Sequence, residues 1–251
     1  MSFSSINKPI PGSRNPVSYV SGLTADWLSN TTLTLNVGAC SDSLNYIDMV
    51  VDTAITINAA AVGVNGIDTG ALAVSTFYYV FVIGDSSGFN SPAALLSTSA
   101  TAPIMPYGYD SWRMVDIKVT DGSSHFLLSY TNGKYGNREF IYDAPLTTGS
   151  SALTTSYVAL PLTACVAPIG TPSVKFVATF TPNSAGNIAY VQPTGSTGNE
   201  TKLSGVVAAV AQIADLECTA FVVTGAASVS LKATAATDTL VLLVKSFTYN
   251  V

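Results

Sequence analysis

Hydrophobic and polar positions alternate with a period of two along much of this chain. Residues 32–37, TLTLNV, set Leu33, Leu35 and Val37 on one side and Thr32, Thr34 and Asn36 on the other, the pattern of a strand with one buried face. The alternation gives way at residues 76–85, TFYYVFVIGD, an apolar run of aromatic and β-branched residues that ends at Gly84. Such a run predicts a strand buried on both faces, and its core, 76–83, is the expected centre of the first domain. Further strands are predicted over 46–51, 54–57, 93–98, 112–119, 124–130 and 139–142. Asp121-Gly122 between two strand-like runs predicts a hairpin joining 112–119 to 124–130. Asn65-Gly66, Asn132-Gly133 and Gly136-Asn137 mark other reversals.

Two segments break the run of strands. Residues 1–20 carry Pro9, Pro11 and Pro16 among Ser, Asn and Gly, with too few apolar positions to pack, and are expected to form an extended N-terminal arm that lies on a partner. Between 145 and 155 the chain reads PLTTGSSALTT, without charge or aromatic side chain, and a domain boundary is placed there. Beyond it, strands are expected at 157–162, 174–181, 187–192, 203–212, 216–223, 228–233 and 240–247, at the spacing of a sandwich or jelly roll. The alanines of 203–213 also suit a helix, and the valines favour a strand. The resulting expectation is an all-β protein: an arm over 1–20, a β domain over 21–148 and a C-terminal β-sandwich or jelly-roll domain over 149–251.

Composition narrows the class. Hydrophobic residues make up 48% of the 251 residues, enough for two cores, whereas charged residues make up only 10%, against about 25% in an ordinary soluble domain. A surface built from Ser, Thr, Asn and Gly suits a protein packed into an assembly, where each long charged side chain would need desolvating or pairing. The net charge of -5 and the pI near 4.6, with no cluster of Lys and Arg, argue against nucleic-acid binding. No apolar run approaches the roughly 20 residues of a membrane-spanning helix, and the start MSFSSINKPIPG lacks the pattern of a secretory signal. Cys40, Cys165 and Cys218 lie far apart, and one histidine cannot complete a zinc site with them, so free thiols in a reducing cytoplasm are expected.

Candidate chemistry is sparse. Residues 81–86, FVIGDS, resemble the strand-then-Gly-Asp-Ser block that carries the nucleophile of the SGNH hydrolases. Ser86 is followed by turn residues, however, and the single histidine, His125, lies four residues after Asp121 rather than three, leaving the serine without a placed base. Asp42, Asn45 and Asp48, with Asp52 nearby, offer oxygens for Ca²⁺ but not at the spacing of a calcium loop; turn roles are expected for them. Glu139, Glu200 and Glu217 do not form a pair for glycoside hydrolysis. Outside the central run, aromatics cluster at Tyr107, Tyr109 and Trp112 with Arg113, residue types that dominate binding hot spots and that serve equally in a core. No catalytic, cofactor-binding or metal-binding residue is assigned, and no cofactor is expected.

Several blocks occur in order: GLTADWLSNTTLTL at 22–35, CSDSLNYID at 40–48, VNGIDTGALAVSTFYYVFVIGDSSG at 64–88, PAALLSTS at 92–99, PYGYDSWR at 106–113 and TDGSSHFL at 120–127. Together they resemble a family of tailed-bacteriophage and prophage virion proteins of the tail-fibre, appendage or head-decoration type, over roughly residues 20–145, and LSGVVAAVAQ at 203–212 is similar more loosely. The resemblance implies a non-enzymatic virion component made in the host cytoplasm. It also implies that the partners are further copies of the chain, as a homotrimer, and other virion proteins. Attachment to the tail or baseplate is the first expectation and head decoration the alternative. A host-glycan-binding module, using the loop 84–92 and the aromatics of 107–112, is the third.

Overall fold

The structure, a computed structural model, describes residues 19–134, 136–223 and 225–251, and all regular secondary structure among them is β-strand. The expected all-β class is what the chain adopts. Residues 1–18 of the predicted arm lie outside the described residues, and Val20, at its end, already belongs to a strand. Two compact units divide the chain, one running to Arg138 and including Asn250–Val251, the other Glu139–Tyr249. Residue 149, where the composition shifts, falls inside a continuous strand, Asn137–Ala152; an uncharged Thr-rich stretch is strand material as readily as linker.

In the first unit the strands are β1 (Val20–Gly22), β2 (Ala25–Ser29), β3 (Thr32–Leu35), β4 (Gly38–Ser41), β5 (Asp48–Val51) and β6 (Ile55–Asn58). They continue with β7 (Gly66–Ile67), β8 (Phe77–Gly84), β9 (Ala93–Ser97), β10 (Ser111–Val119) and β11 (Ser129–Lys134). Two three-stranded sheets, β1-β4-β5 and β2-β3-β6, accompany a four-stranded sheet in the order β10-β8-β9-β7. Every residue of β8 is buried, as its unbroken apolar run requires. Tyr78, Val80 and Val82 enter a core with Leu33, Leu35, Met49, Ile57 and Leu96. The alternate residues Tyr79, Phe81 and Ile83 occupy the opposite face, where Phe81 meets Trp112 edge-on at 5.5 Å between ring centroids.

The predicted hairpin at Asp121-Gly122 is only half realised. The chain reverses there: the Asp121 carboxylate accepts from the backbone N–H groups of Ser123 (2.7 Å) and His125 (2.9 Å), and Ser124 takes a left-handed φ of 61°. A single bridge, Thr120 with Phe126, follows. The ladder along β10 is made instead with β8, from Ser111↔Gly84 to Val119↔Phe77. Local turn chemistry was therefore present, but the residues of the strand partner lie 27 to 42 positions earlier in the sequence.

A bulge in β10 between Met114 and Asp116 carries Asp116 and Lys118 into the interior, where their side chains are 0% and 1% exposed and 3.7 Å apart. Asp116 accepts from the backbone N–H of Ala25 (2.6 Å), that of Ile117 (2.7 Å) and the Thr131 hydroxyl (2.8 Å). Burial pushes the Lys118 ammonium below its ordinary pKa, partly opposed by the Asp116 charge. Arg138 donates to the carbonyls of Leu23 and Gly22, fixing the turn between β1 and β2. These buried charges are not visible in the alternation of the sequence.

The second unit is a two-sheet sandwich of β12 (Asn137–Ala152), β13 (Val158–Pro161), β14 (Ser173–Thr181), β15 (Ile188–Pro193) and β16 (Thr201–Ser204). To these are added β17 (Gln212–Thr219), β18 (Phe221–Val223), β19 (Ala226–Ala233) and β20 (Thr239–Asn250). One sheet runs β11-β12-β20-β14-β17 and the other β13-β19-β15-β16, with β18 on β19. Period-2 patterning is plain in β14, where Val174, Phe176, Ala178 and Phe180 are buried and the residues between them are not. Phe140 stacks on Phe247 at 5.1 Å, and the Tyr142 hydroxyl donates to the Cys165 carbonyl at 2.8 Å.

The predicted strand 203–212 is a correction. Only Thr201–Ser204 is strand, residues 205–211 are irregular with a turn at 208–209, and β17 starts at Gln212. Gly205 lies so close to Pro182 that an added Cβ would sit 2.5 Å from its ring, and Ala209 takes a left-handed φ of 57°; neither suits a continuous ladder. Val206, Val207, Val210 and Ile213 are left exposed.

Candidate ligand-binding cleft

The pairing of Gly84 with Ser111 brings the loop after β8 against the loop before β10. The two stretches singled out in the sequence, 84–92 and 107–112, thus share one cleft of about 560 Å³, lined among others by Asp85, Phe89, Asn90, Tyr107 and Asp110.

Asp85 organises the first loop. Its Oδ1 accepts from the Ser87 N–H (2.9 Å) and hydroxyl (2.6 Å), and its Oδ2 from the Asn90 N–H (3.0 Å) and Nδ2 (3.1 Å). Those donors, the Ser87 hydroxyl foremost, hold the carboxyl down at about 2. The second loop is clamped to the first. Asp110 accepts from the N–H of Ser86 at 2.8 Å and from its hydroxyl, which lowers the Asp110 pKa. Asn90 Nδ2 donates to the Gly108 carbonyl (3.0 Å), and the Tyr109 hydroxyl to the Ser91 carbonyl (3.2 Å). Gly108 suits its place because its φ is +86°, a conformation L side chains rarely adopt; a Cβ there would also press on Asn90 Nδ2 at 2.8 Å. Against this rigid frame Phe89 is 90% exposed and Tyr107 fully exposed.

The aromatic cluster of the sequence is therefore split. Tyr107 stands in solvent, whereas Trp112 packs on Phe81 and Arg113 is largely buried, its pKa lowered by desolvation. Ser86 and His125 share no hydrogen bond among the described residues; the serine is bound to Asp110, and His125 lies 3.8 Å from Asp121.

Asp42 is a turn residue. Its carboxylate accepts from the N–H groups of Leu44 (3.2 Å), Tyr46 (2.6 Å) and Ile47 (3.0 Å), while Asn45 takes a φ of 57°, Asp48 starts β5 and Asp52 is exposed. The three glutamates serve separate contacts: Glu139 with Lys175 (2.8 Å), Glu200 with Lys232 (3.1 Å) and Glu217 with the Ser173 hydroxyl (2.6 Å). The three cysteines are free and buried. No group of His, Cys, Asp or Glu among the described residues has the makings of a metal site.

No protein-family model matches the chain, and no curated protein matches it. Among solved structures, a chain from "Structure of infectious bursal disease virus Gx strain" aligns over 93% of this chain and 67% of its own, at 10% identity and a TM-score of 0.25. A likeness that distant carries no argument about function.

Proposed function

We propose that this protein is a non-enzymatic structural component of a bacteriophage virion, assembling as a homo-oligomer, a trimer in the first instance, into an appendage of the tail or baseplate. The observation that carries this reading is the bared aliphatic group Val206, Val207, Val210 and Ile213, which leads into β17, the end strand of its sheet. An end strand offers unpaired backbone groups to another chain, and apolar side chains beside it give that contact an area to bury. The low charge of the chain, 10% Asp, Glu, Lys and Arg, supports the same reading, because few long charged side chains would need desolvating in an assembly. The sequence blocks between about residues 20 and 145 that resemble phage virion proteins supply the particle.

Sedimentation velocity on the purified chain tests the assembly. A trimer is expected, and the pair Val206→Asp with Ile213→Asp is expected to yield folded monomers. A wild-type chain that stays monomeric at millimolar concentration refutes the oligomer. Quantitative mass spectrometry of virions tests the location: a few to a few dozen copies per particle is the expected count, and hundreds would move the chain to the capsid lattice.

A further inference from the structure

Single exposed apolar side chains are ordinary on protein surfaces. Two aromatic rings bared beside one cleft, on loops already held in place by six hydrogen bonds that Asp85 and Asp110 accept, are not accounted for by folding. Binding sites combine such apolar surface with a few fixed polar groups, and a frame ordered before the ligand arrives spares it the entropy of ordering the loops.

The polar groups left over define the ligand. A carboxylate offers about four lone-pair positions, and Asp85 has all of its positions filled by Ser87 and Asn90. Asp110 accepts from Ser86 twice and from the Ser111 hydroxyl at 3.1 Å, which leaves one position. Asn90 has spent both protons of Nδ2 on Asp85 and Gly108, and its Oδ1 remains. The free groups are thus two acceptors and the Tyr107 hydroxyl, which can donate or accept, a set suited to ligand hydroxyl groups. The cleft lining contains no Lys or Arg and two carboxyls held below their ordinary range, which disfavours an anionic ligand. An ammonium would find no open position on Asp85 and one on Asp110, fewer than its three N–H donors need.

We propose that this cleft binds a neutral saccharide, with Phe89 and Tyr107 against the C–H face of a pyranose and sugar hydroxyls donating to Asp110 and Asn90. This inference stands apart from the oligomer: a monomer with the same loops would bind equally.

The test uses the full chain on an array of neutral bacterial and animal oligosaccharides, with sialylated glycans and choline as charged probes, followed by saturation-transfer NMR on the best neutral binder. Phe89 and Tyr107 are in solvent, so replacing them leaves the fold intact. Phe89→Ala and Tyr107→Ala are each expected to weaken binding at least tenfold, and Val158→Ala, an exposed position in the second unit, to leave it unchanged. Absence of binding to every neutral glycan, binding indifferent to both ring deletions, or a preference for choline that fades with salt would each overturn the assignment.

Discussion

Removing Asp116 takes from Lys118 its ion-pair partner in a dry interior; the Thr131 hydroxyl at 3.1 Å and the Asp26 charge still act on the ammonium. Breaking one side of a buried ion pair in this way costs about 3–5 kcal/mol, and the buried Ala25 N–H loses its acceptor as well. Asp116→Ala is therefore expected to destabilise the first unit by at least about 3 kcal/mol. Lys118→Met is different. Asp116 keeps three donors after that change, and the lysine carries a desolvation cost, seen in its lowered pKa. A lysine whose folded pKa lies below its unfolded one weakens the fold at every pH below the folded value, and stability rises with pH only above it. Replacing it by a neutral chain of similar length is thus expected to change stability by less than about 1 kcal/mol at neutral pH. Urea titration followed by tryptophan fluorescence reads this directly, because both tryptophans, Trp27 and Trp112, belong to the first unit. With a slope of about 2 kcal/mol per molar urea, the midpoint should fall by about 2 M in Asp116→Ala and stay nearly constant in Lys118→Met. Equal losses in the two variants, or a larger loss in Lys118→Met, would refute the account of the pair.

Two further outcomes follow from the pKa shifts. The Asp85 carboxyl should titrate at about 2 rather than 3.8; its hold on the cleft loop is complete above the ordinary value and is lost as pH falls through about 2. The ¹³C carboxyl shift of Asp85 measures this, and a midpoint near 4 would contradict the hydrogen bonding described. Burial raises the Cys40 thiol to about 12 and those of Cys165 and Cys218 to about 11, so a disulfide reagent at pH 8 should leave all three silent in the folded protein and titrate all three in guanidinium. Rapid labelling of any one without denaturant would count against its burial.

What the sequence disclosed was what depends on near neighbours. The alternation of β3 and β14, the fully apolar β8 and the turn residues at Asn65 and Asp121 all follow from local sterics and burial. The partner of β10 did not, because ladder pairing joins distant segments and the bulge that turns Asp116 inward leaves no mark in the pattern. Val206, Val207 and Val210 misled for the converse reason: β-favouring side chains predict a strand only where a neighbouring strand is available, and here Gly205 packs against Pro182 instead. The cleft was half legible. Both of its loops stood out in composition, but their meeting depends on Gly84 pairing with Ser111, and nothing in the order of residues said that Tyr107 would face solvent and Trp112 the sheet.

The segment Glu139–Tyr249 leaves the first unit along β12 and returns along β20, and these two strands are neighbours in one sheet. Its entry and exit therefore lie side by side, so the whole segment behaves as a cassette. Side-by-side ends of this kind are what the insertion of one compact unit into the chain of another requires.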